Sequence, residues 1–404
     1  VKNHRNFIKH FALRLAGAVL GRGLLTSEGD FWLRQRRMAA PAFHAQRIAT
    51  YGPDMVDAAL ASTHTWQHGE ARDIHADMMQ LTLDIAAKTL FGADIGDESR
   101  EVDVAIRASL ASFASKINST LPLPRWVPTP RNQRFHAAVR ALDRVVQRII
   151  DQRRGDKTER SDLLSMLLRA RDDDDGQGMT DKQMTDEART FLLAGHETTA
   201  LVMSWSWYLL AGHPHVQQRL GDELKEVLGG RPPCVEDMPR LKYSEQVILE
   251  SMRLFPPAFV IGREALAEFE LSGYTFPAGT TVLMSPWVVH RDERFFDRPE
   301  EFEPQRWASE KAAALPKLAY FPFGAGPRIC IGNTFAMMES ILLLATIAQA
   351  WSFEPAADQK IGLSPVVTLR PRYGVKIVVS RRSGDRLGGG PEWRESSGAA
   401  KMTP

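Results

Sequence analysis

Cys330 closes the run Phe323-Gly324-Ala325-Gly326-Pro327-Arg328-Ile329-Cys330-Ile331-Gly332, a turn-rich loop followed by the strongly helical stretch 333–350. A sulfur at that place lies at a helix N-terminus, where backbone N–H groups and the helix dipole favour a thiolate. A thiolate is a good metal ligand. Gly326 and Gly332 allow the backbone to bend around the sulfur, its N–H donors tune the electron density there, and Arg328 is placed to meet an acidic group on a cofactor. The other cysteine, Cys234, follows Pro232-Pro233 with no such setting and reads as an inert small hydrophobe.

A second group stands at Leu193-Ala194-Gly195-His196-Glu197-Thr198-Thr199, where a core helix would normally carry Leu or Ile. Three readings compete. The plainest is a polar patch on an amphipathic helix. A zinc site would use His196 with His213 and His215, but their spacing is not His-Glu-x-x-His and the latter two fall past the helix end. The third is a cofactor groove: Ala194 and Gly195 let a flat ligand and a small gas approach the backbone, while Glu197 and Thr198 form an acid and alcohol pair that relays protons.

The elements that must position these groups follow from periodicity. The longest helix begins at Thr180, with Gln183 at capping-box spacing, and runs to Ala211 before Gly212-His213-Pro214 stops it. At 1.5 Å per residue it spans roughly 48 Å and must cross the centre of the molecule. Apolar residues three and four apart predict further helix over 31–66, 71–91, 100–117, 131–154, 161–171 and 243–255, and short strands appear over 268–276, 280–284 and 375–379. The proline-rich 121–130 and the acidic run 172–175 read as connections. The fold class is mainly α with small β-sheets. One domain over 1–382 and a polar, disordered tail over 383–404 are expected.

Composition limits the function classes. With 44% apolar and 25% charged residues over 404 positions, the chain is neither disordered nor fibrous. Fifty-one basic against forty-nine acidic residues, a formal +2, argue against nucleic acid as a partner. Residues 1–50 are locally basic, with nine Lys or Arg against Glu28 and Asp30, as though facing something anionic. Two cysteines cannot build a disulfide framework, no signal peptide opens the chain, and the apolar stretch 188–211 carries Arg189, His196 and Glu197, so a cytoplasmic protein is expected.

Phe323, Gly326, Arg328, Cys330 and Gly332 match the Phe-x-x-Gly-x-Arg-x-Cys-x-Gly haem loop, and on it the chain resembles the cytochrome P450 family of haem-thiolate monooxygenases, in a bacterial-type soluble form. Three further motifs stand in the family's order: Ala194-Gly195-x-Glu197-Thr198, Glu250-x-x-Arg253, and Pro304-x-Arg306-Trp307. The resemblance implies the P450 fold with its long helix over the haem, and haem b with Cys330 as axial ligand. It further implies Trp32, Arg36, Arg328 and Arg263 around the propionates, and a structural network of Glu250, Arg253 and Arg306. Phe323, Gly326, Gly332, Ala194 and Gly195 would border the cofactor, and His290 is structural. For Arg34 and Arg37, a solvated helix face or an acidic redox protein is the expected company.

The implied reaction is insertion of one oxygen atom from O2 into an apolar organic substrate, with Glu197 and Thr198 delivering protons. Electrons would come indirectly from NAD(P)H through a separate ferredoxin or flavoprotein reductase. Leu192, Leu193, Phe259, Val260, Ile261, Pro365 and Val366 are the candidates for an apolar pocket wall. A peroxide-dependent peroxygenase, a haem-thiolate isomerase and a haem- or ligand-binding protein without turnover remain as alternatives. Trp32 stands closer to the first residue than in the family's usual pattern, so the family's N-terminal part is expected to be missing. Residues 1–20 would then border the substrate pocket, or form a helical address peptide.

Overall fold

A computed structural model describes residues 3–94, 96, 101–102, 104–106, 108, 126–156, 158, 160, 162–172, 174 and 176–382. The tail expected over 383–404, most of the helix expected over 100–117 and the proline-rich segment before Trp126 lie outside the described residues.

In chain order the elements that matter are β1 (Phe7–Lys9), α1 (Gly29–Ala39), α2 (Gly52–Thr63), β2 (Glu70–Asp73), α3 (Ile74–Phe91), α4 (Pro130–Gly155) and α5 (Leu163–Arg169). There follow α6 (Asp181–Gly212), α7 (Pro214–Leu228), α8 (Lys242–Leu254), β3 (Ile261–Ala265), β4 (Phe269–Leu271), β5 (Tyr274–Phe276) and β6 (Thr281–Met284). The chain then forms α9 (Asn333–Ala350), β7 (Trp351–Pro355), β8 (Leu363–Pro365), β9 (Leu369–Pro371) and β10 (Lys376–Arg381). The fold is mainly α with small antiparallel sheets, as the sequence patterns indicated.

The long helix α6 starts with the expected capping box: the Gln183 N–H donates to Thr180 Oγ1 at 3.3 Å and the Thr180 N–H donates to Gln183 Oε1 at 2.7 Å. It is buried along most of its length, with Ala200, Met203, Trp205 and Leu210 fully enclosed. Helix α3 runs against it. The contact is close because Gly195 has no side chain: a Cβ there would meet Leu90 Cδ1 at 3.2 Å. His196 is held in the same seam, with Nε2 2.9 Å from the Met79 carbonyl, while Thr82 Oγ1 donates to the His196 carbonyl at 3.0 Å. Helix α9 is apolar on nearly every face and correspondingly buried, and one hydrophobic cluster extends from Val19 to Val379.

Two differences from the sequence reading have simple causes. The run 31–66 is not one helix, because Pro41 and Pro53 lack N–H donors and start new turns at 40–43 and at α2. The first half also contains strands. β1 pairs with β3 in the sheet β1-β3-β6, with Lys9 opposite Arg263, and the polar β2 pairs with β10 in the sheet β2-β10-β7. Both take their partners from the second half of the chain, so local periodicity carries no sign of them. β8 and β9 form a separate two-stranded hairpin. Residues 1–20 are therefore not one helix, and Phe11 and Leu15 are exposed.

Candidate functional site

The Cys330 N–H donates to the Phe323 carbonyl at 2.9 Å, which closes the loop on itself and puts Phe323 at its base, packed on the core. The reversal needs left-handed backbone at Gly324 (φ 72°) and Gly326 (φ 71°), a conformation that a side chain would strain. Gly332 differs from expectation. Its φ is −90°, so it is no left-handed hinge; it is the residue from which α9 begins. Cys330 is densely surrounded by protein, yet its side chain is accessible, as expected of a residue lining an internal space. Burial pushes its thiol up, against the lowering pull of the Gly332 N–H and Arg36. The N–H groups at this helix start and the Arg36 charge therefore do not outweigh the effect of burial on the sulfur.

Arg36 on α1 reaches that loop, with Nη1 donating to the Ile329 carbonyl at 3.1 Å. Arg328 lies 3.7 Å over the Trp32 ring, donates to the Ser27 carbonyl at 3.1 Å and pairs with Glu28. Around the same Glu28 stand Arg263 of β3 and Lys9 of β1. Lys9 was not singled out in the sequence, and only its register opposite Arg263 brings it in. Its Nζ donates to the Leu24 and Ser27 carbonyls at 3.0 and 2.6 Å, and burial, followed by the Arg328 charge, lowers it to about 7. Arg263 is itself half-buried and makes no carboxylate pair among the described residues. A group carrying two carboxylates, as haem b does, fits a cluster so short of anions.

Arg34 and Arg37 do not belong to this cluster. They pair with the acidic run instead: Arg37 Nη2 lies 3.1 Å from Asp172 and 2.5 Å from Asp174, and Arg34 Nε lies 3.7 Å from Asp172. Asp172 is buried, whereas Asp174 is exposed as a residue of a connection should be. Cys234, read as a buried hydrophobe, is exposed, and its thiol donates to Asp237 at 3.2 Å.

The middle of α6 turns different residues in different directions. Ala194 is exposed and Leu193 and Thr198 half-exposed on a helix that is otherwise buried at its centre, and Thr198 Oγ1 donates to the Ala194 carbonyl at 2.6 Å. Ala194 and Thr198, four apart, share this accessible face. Gly195 and His196 pack toward α3, and no group of three metal-binding side chains forms among the described residues. Glu197 is not hydrogen-bonded to Thr198. It turns to β9, where Oε1 accepts from Arg370 Nε at 2.8 Å and from the Thr368 hydroxyl. Phe43 links this helix to the cysteine loop, its ring centroid 5.4 Å from that of Phe191 and its edge in contact range of Gly332.

The loop is braced from behind. Glu250 and Arg253, three apart on α8, are fully buried and bonded twice at 2.9 Å. Arg306 Nε donates to Glu250 at 2.8 Å, and Trp307 Nε1, a partner the sequence did not reveal, donates to its other oxygen at 2.9 Å. Arg253 also holds the carbonyls of His290, Pro299 and Glu301. His290 Nε2 in turn accepts the Phe321 N–H at 2.9 Å, two residues before the loop. Half-buried Leu193, Phe259, Val260, Ile261 and Val366 retain accessible apolar surface, whereas Leu192 is 2% exposed.

The family model described as Cytochrome P450 matches residues 2–377. Cyclooctatin synthase of Streptomyces melanosporofaciens is 38% identical over 357 residues, covering 88% of this chain and 78% of its own length. Pentalenene oxygenase of Streptomyces avermitilis is 34% identical over 343 residues, 84% of this chain and 76% of its own. Cytokinin hydroxylase of Arabidopsis thaliana is 34% identical over 373 residues, 89% of this chain and 72% of its own.

Proposed function

We propose, from the premise that this chain belongs to the cytochrome P450 family, that Cys330 is the thiolate ligand of its haem and that Thr198 handles the protons of oxygen activation. Membership makes the protein a haem-thiolate monooxygenase that takes an organic substrate, dioxygen and electrons from a redox partner. Haem, when bound, supplies the iron on which dioxygen is reduced and from which one oxygen atom passes to the substrate.

The chain's own residues do the rest. Arg36, Arg263 and Arg328, with Trp32 beneath Arg328, would hold the two carboxylates of the cofactor. Phe323, Gly326 and Gly332 shape that loop, and Glu250, Arg253 and Arg306 keep it from moving. Ala194 leaves room beside the α6 backbone. Thr198 Oγ1 gives its own proton to the Ala194 carbonyl, so its lone pairs face the accessible side and accept a hydrogen bond from a protonated group or water there. Glu197 replenishes protons. The electron donor in this reading is a ferredoxin or flavoprotein reductase fed by NAD(P)H, and the location is the cytoplasm, in keeping with two unpaired cysteines. No helix among the described residues is long and apolar enough to cross a membrane.

The substrate in this reading is an apolar compound held against Leu193, Phe259, Val260, Ile261 and Val366. The named relatives act on different compounds, pentalenene in one and a cytokinin in another, so no single one is carried over. The observation that carries the proposal is the accessible Cys330 in a loop tied to α1 by Arg36 and Arg328. It is tested by the absorption spectrum of the dithionite-reduced protein under carbon monoxide, for the wild type and Cys330→Ser. A strongly red-shifted Soret band that disappears in the variant supports it; a band that survives overturns it. Turnover with a surrogate ferredoxin and reductase then separates a monooxygenase from a protein that only holds haem.

A further inference from the structure

Between the end of α4, α5 and the first turn of α6 lies a groove of about 910 Å³, a size typical of pockets that take a nucleotide-sized molecule. None of its lining residues belongs to the cysteine loop or to the accessible face of Ala194 and Thr198. Its charge is one-sided: Arg153, Arg154, Arg169 and Arg171 line it, with Asp156 as the facing carboxylate among the described residues.

Two of these arginines are already neutralised. Arg153 lies 3.2 Å from Asp162 and 3.5 Å from Asp156, and Arg154 pairs with Asp181. The other two are held by backbone only. Arg169 Nη2 donates to the Arg160 carbonyl at 2.8 Å, and Arg171 Nη1 donates to the Ala170 carbonyl at 3.0 Å. Neither has a carboxylate within ion-pair distance among the described residues, and Nε and the second Nη of each make no hydrogen bond there. A carbonyl fixes the direction of a guanidinium but leaves its full charge to be met by something else. Arg171 lies against Gly178, where a Cβ would come within 2.6 Å of its Nη1. Arg153 adds a sign of its own: its side chain is 8% exposed, and its Nε is buried without a partner among the described residues. Leu168, Met179 and Met184 supply apolar wall beside the charges.

We propose that this groove binds a phosphate-bearing small molecule, with Arg169 and Arg171 as its main anchors. The planar guanidinium fork matches two oxygens of one phosphate, and two such forks two residues apart suit a diphosphate better than a single carboxylate. The organic part lies on Leu168 and Met179. Because Arg169 ends α5 and Arg171 opens the connection to α6, a phosphate shared between them ties α5 to the segment that leads into the long helix. A concave space with a sunken arginine suits a small ligand better than the flat surface of a protein partner.

The test is titration calorimetry in low salt on the full chain with haem, using ADP, pyrophosphate, orthophosphate and adenosine as probes. The variants are Arg169→Gln/Arg171→Gln, Arg171→Gln alone, and Arg294→Gln, whose guanidinium is already paired with Asp292. Arg169 and Arg171 are exposed, so their exchange removes no packed side chain, and an unchanged melting temperature without probe checks this. ADP and pyrophosphate are expected to bind saturably, one per chain, and adenosine not at all. The double variant should weaken them by at least about tenfold, the worth of one charged hydrogen bond, with Arg171→Gln between and Arg294→Gln unchanged. ADP binding more tightly than pyrophosphate supports a nucleotide as the ligand; equal binding, with orthophosphate competing, supports recognition of the phosphates alone. No saturable binding of either, or equal affinity in the double variant, overturns the site. So does a double variant that keeps ADP affinity and only raises the ferredoxin concentration needed for half-maximal turnover, which would make the groove a docking face. Calorimetry reads binding without turnover, so a failed carbon monoxide spectrum would remove the haem-thiolate reading and leave this one standing.

Discussion

The guanidinium of Arg328 lies 3.7 Å above the ring of Trp32, which joins the loop of Cys330, late in the chain, to α1 near its beginning. A cation over an indole face is worth about 1 kcal/mol when partly shielded from water, and Arg328 is also paired with Glu28. Trp32→Ala removes that support. Haem transfer to an excess of apomyoglobin is expected to run roughly fivefold faster than in the wild type, which is what about 1 kcal/mol amounts to. An unchanged rate would mean that the ring only fills space.

Behind the loop, Glu250 accepts from Arg253, Arg306, Trp307 and the Glu303 N–H, with no exposure at either Glu250 or Arg253. Glu250→Gln leaves the Arg253 charge buried without its counter-charge, and removing one partner of such a pair costs about 3 to 5 kcal/mol. Urea unfolding should show this as a midpoint lowered far enough to endanger folding, since whole domains are stable by only about 5 to 15 kcal/mol.

Acid should act on the same region through His290. Burial, followed by the Arg253 charge, pushes this imidazole down from 6.5 to about 3, and its Nε2 is occupied by the Phe321 N–H. The unfolded chain binds the proton first, so stability is full above pH 6.5 and declines as the pH falls from there towards 3. Stability measured against pH should lose part of this slope in His290→Gln. An identical slope would place the acid sensitivity elsewhere.

Glu339 on α9 gives the opposite sign. It is fully buried beside the Thr199 hydroxyl but outside hydrogen-bonding geometry, and burial pushes its carboxyl up from 4.5 to about 8. The folded state keeps a proton that the unfolded chain releases, so this group's contribution falls as the pH rises from 4.5 to about 8. Glu339→Gln, neutral at any pH, should be more stable than the wild type at pH 8 and nearly equal to it near pH 4. Thermal melts at the two values decide it.

Thr198→Ala tests the accessible face of α6. With the hydroxyl gone, NAD(P)H consumption should continue while peroxide replaces product. Coupling equal to the wild type would remove Thr198 from proton handling.

Much of this was readable in the residues themselves. The loop 323–332 announces its cysteine through glycines, an arginine and the helix that follows, all local in sequence, and the capping box of Thr180 and Gln183 marks where α6 begins. Side-chain periodicity is a property of neighbouring residues, so helix α8 and the Glu250–Arg253 face were legible too. What only the tertiary structure decided are the meetings of distant segments. Strand β1 is defined by its pairing with β3, and that register brings Lys9 into the cationic cluster. The arginines at 34 and 37 on α1 and the acids at 172 and 174 beyond α5 neutralise each other although Arg37 and Asp172 are 135 positions apart in the chain. Glu197 points to Arg370 because α6 passes under the β8–β9 hairpin, a contact between helix and strand that no local pattern encodes. Local preferences set which elements form, but burial of a shared core sets which of them touch, and the charges are paired by that contact.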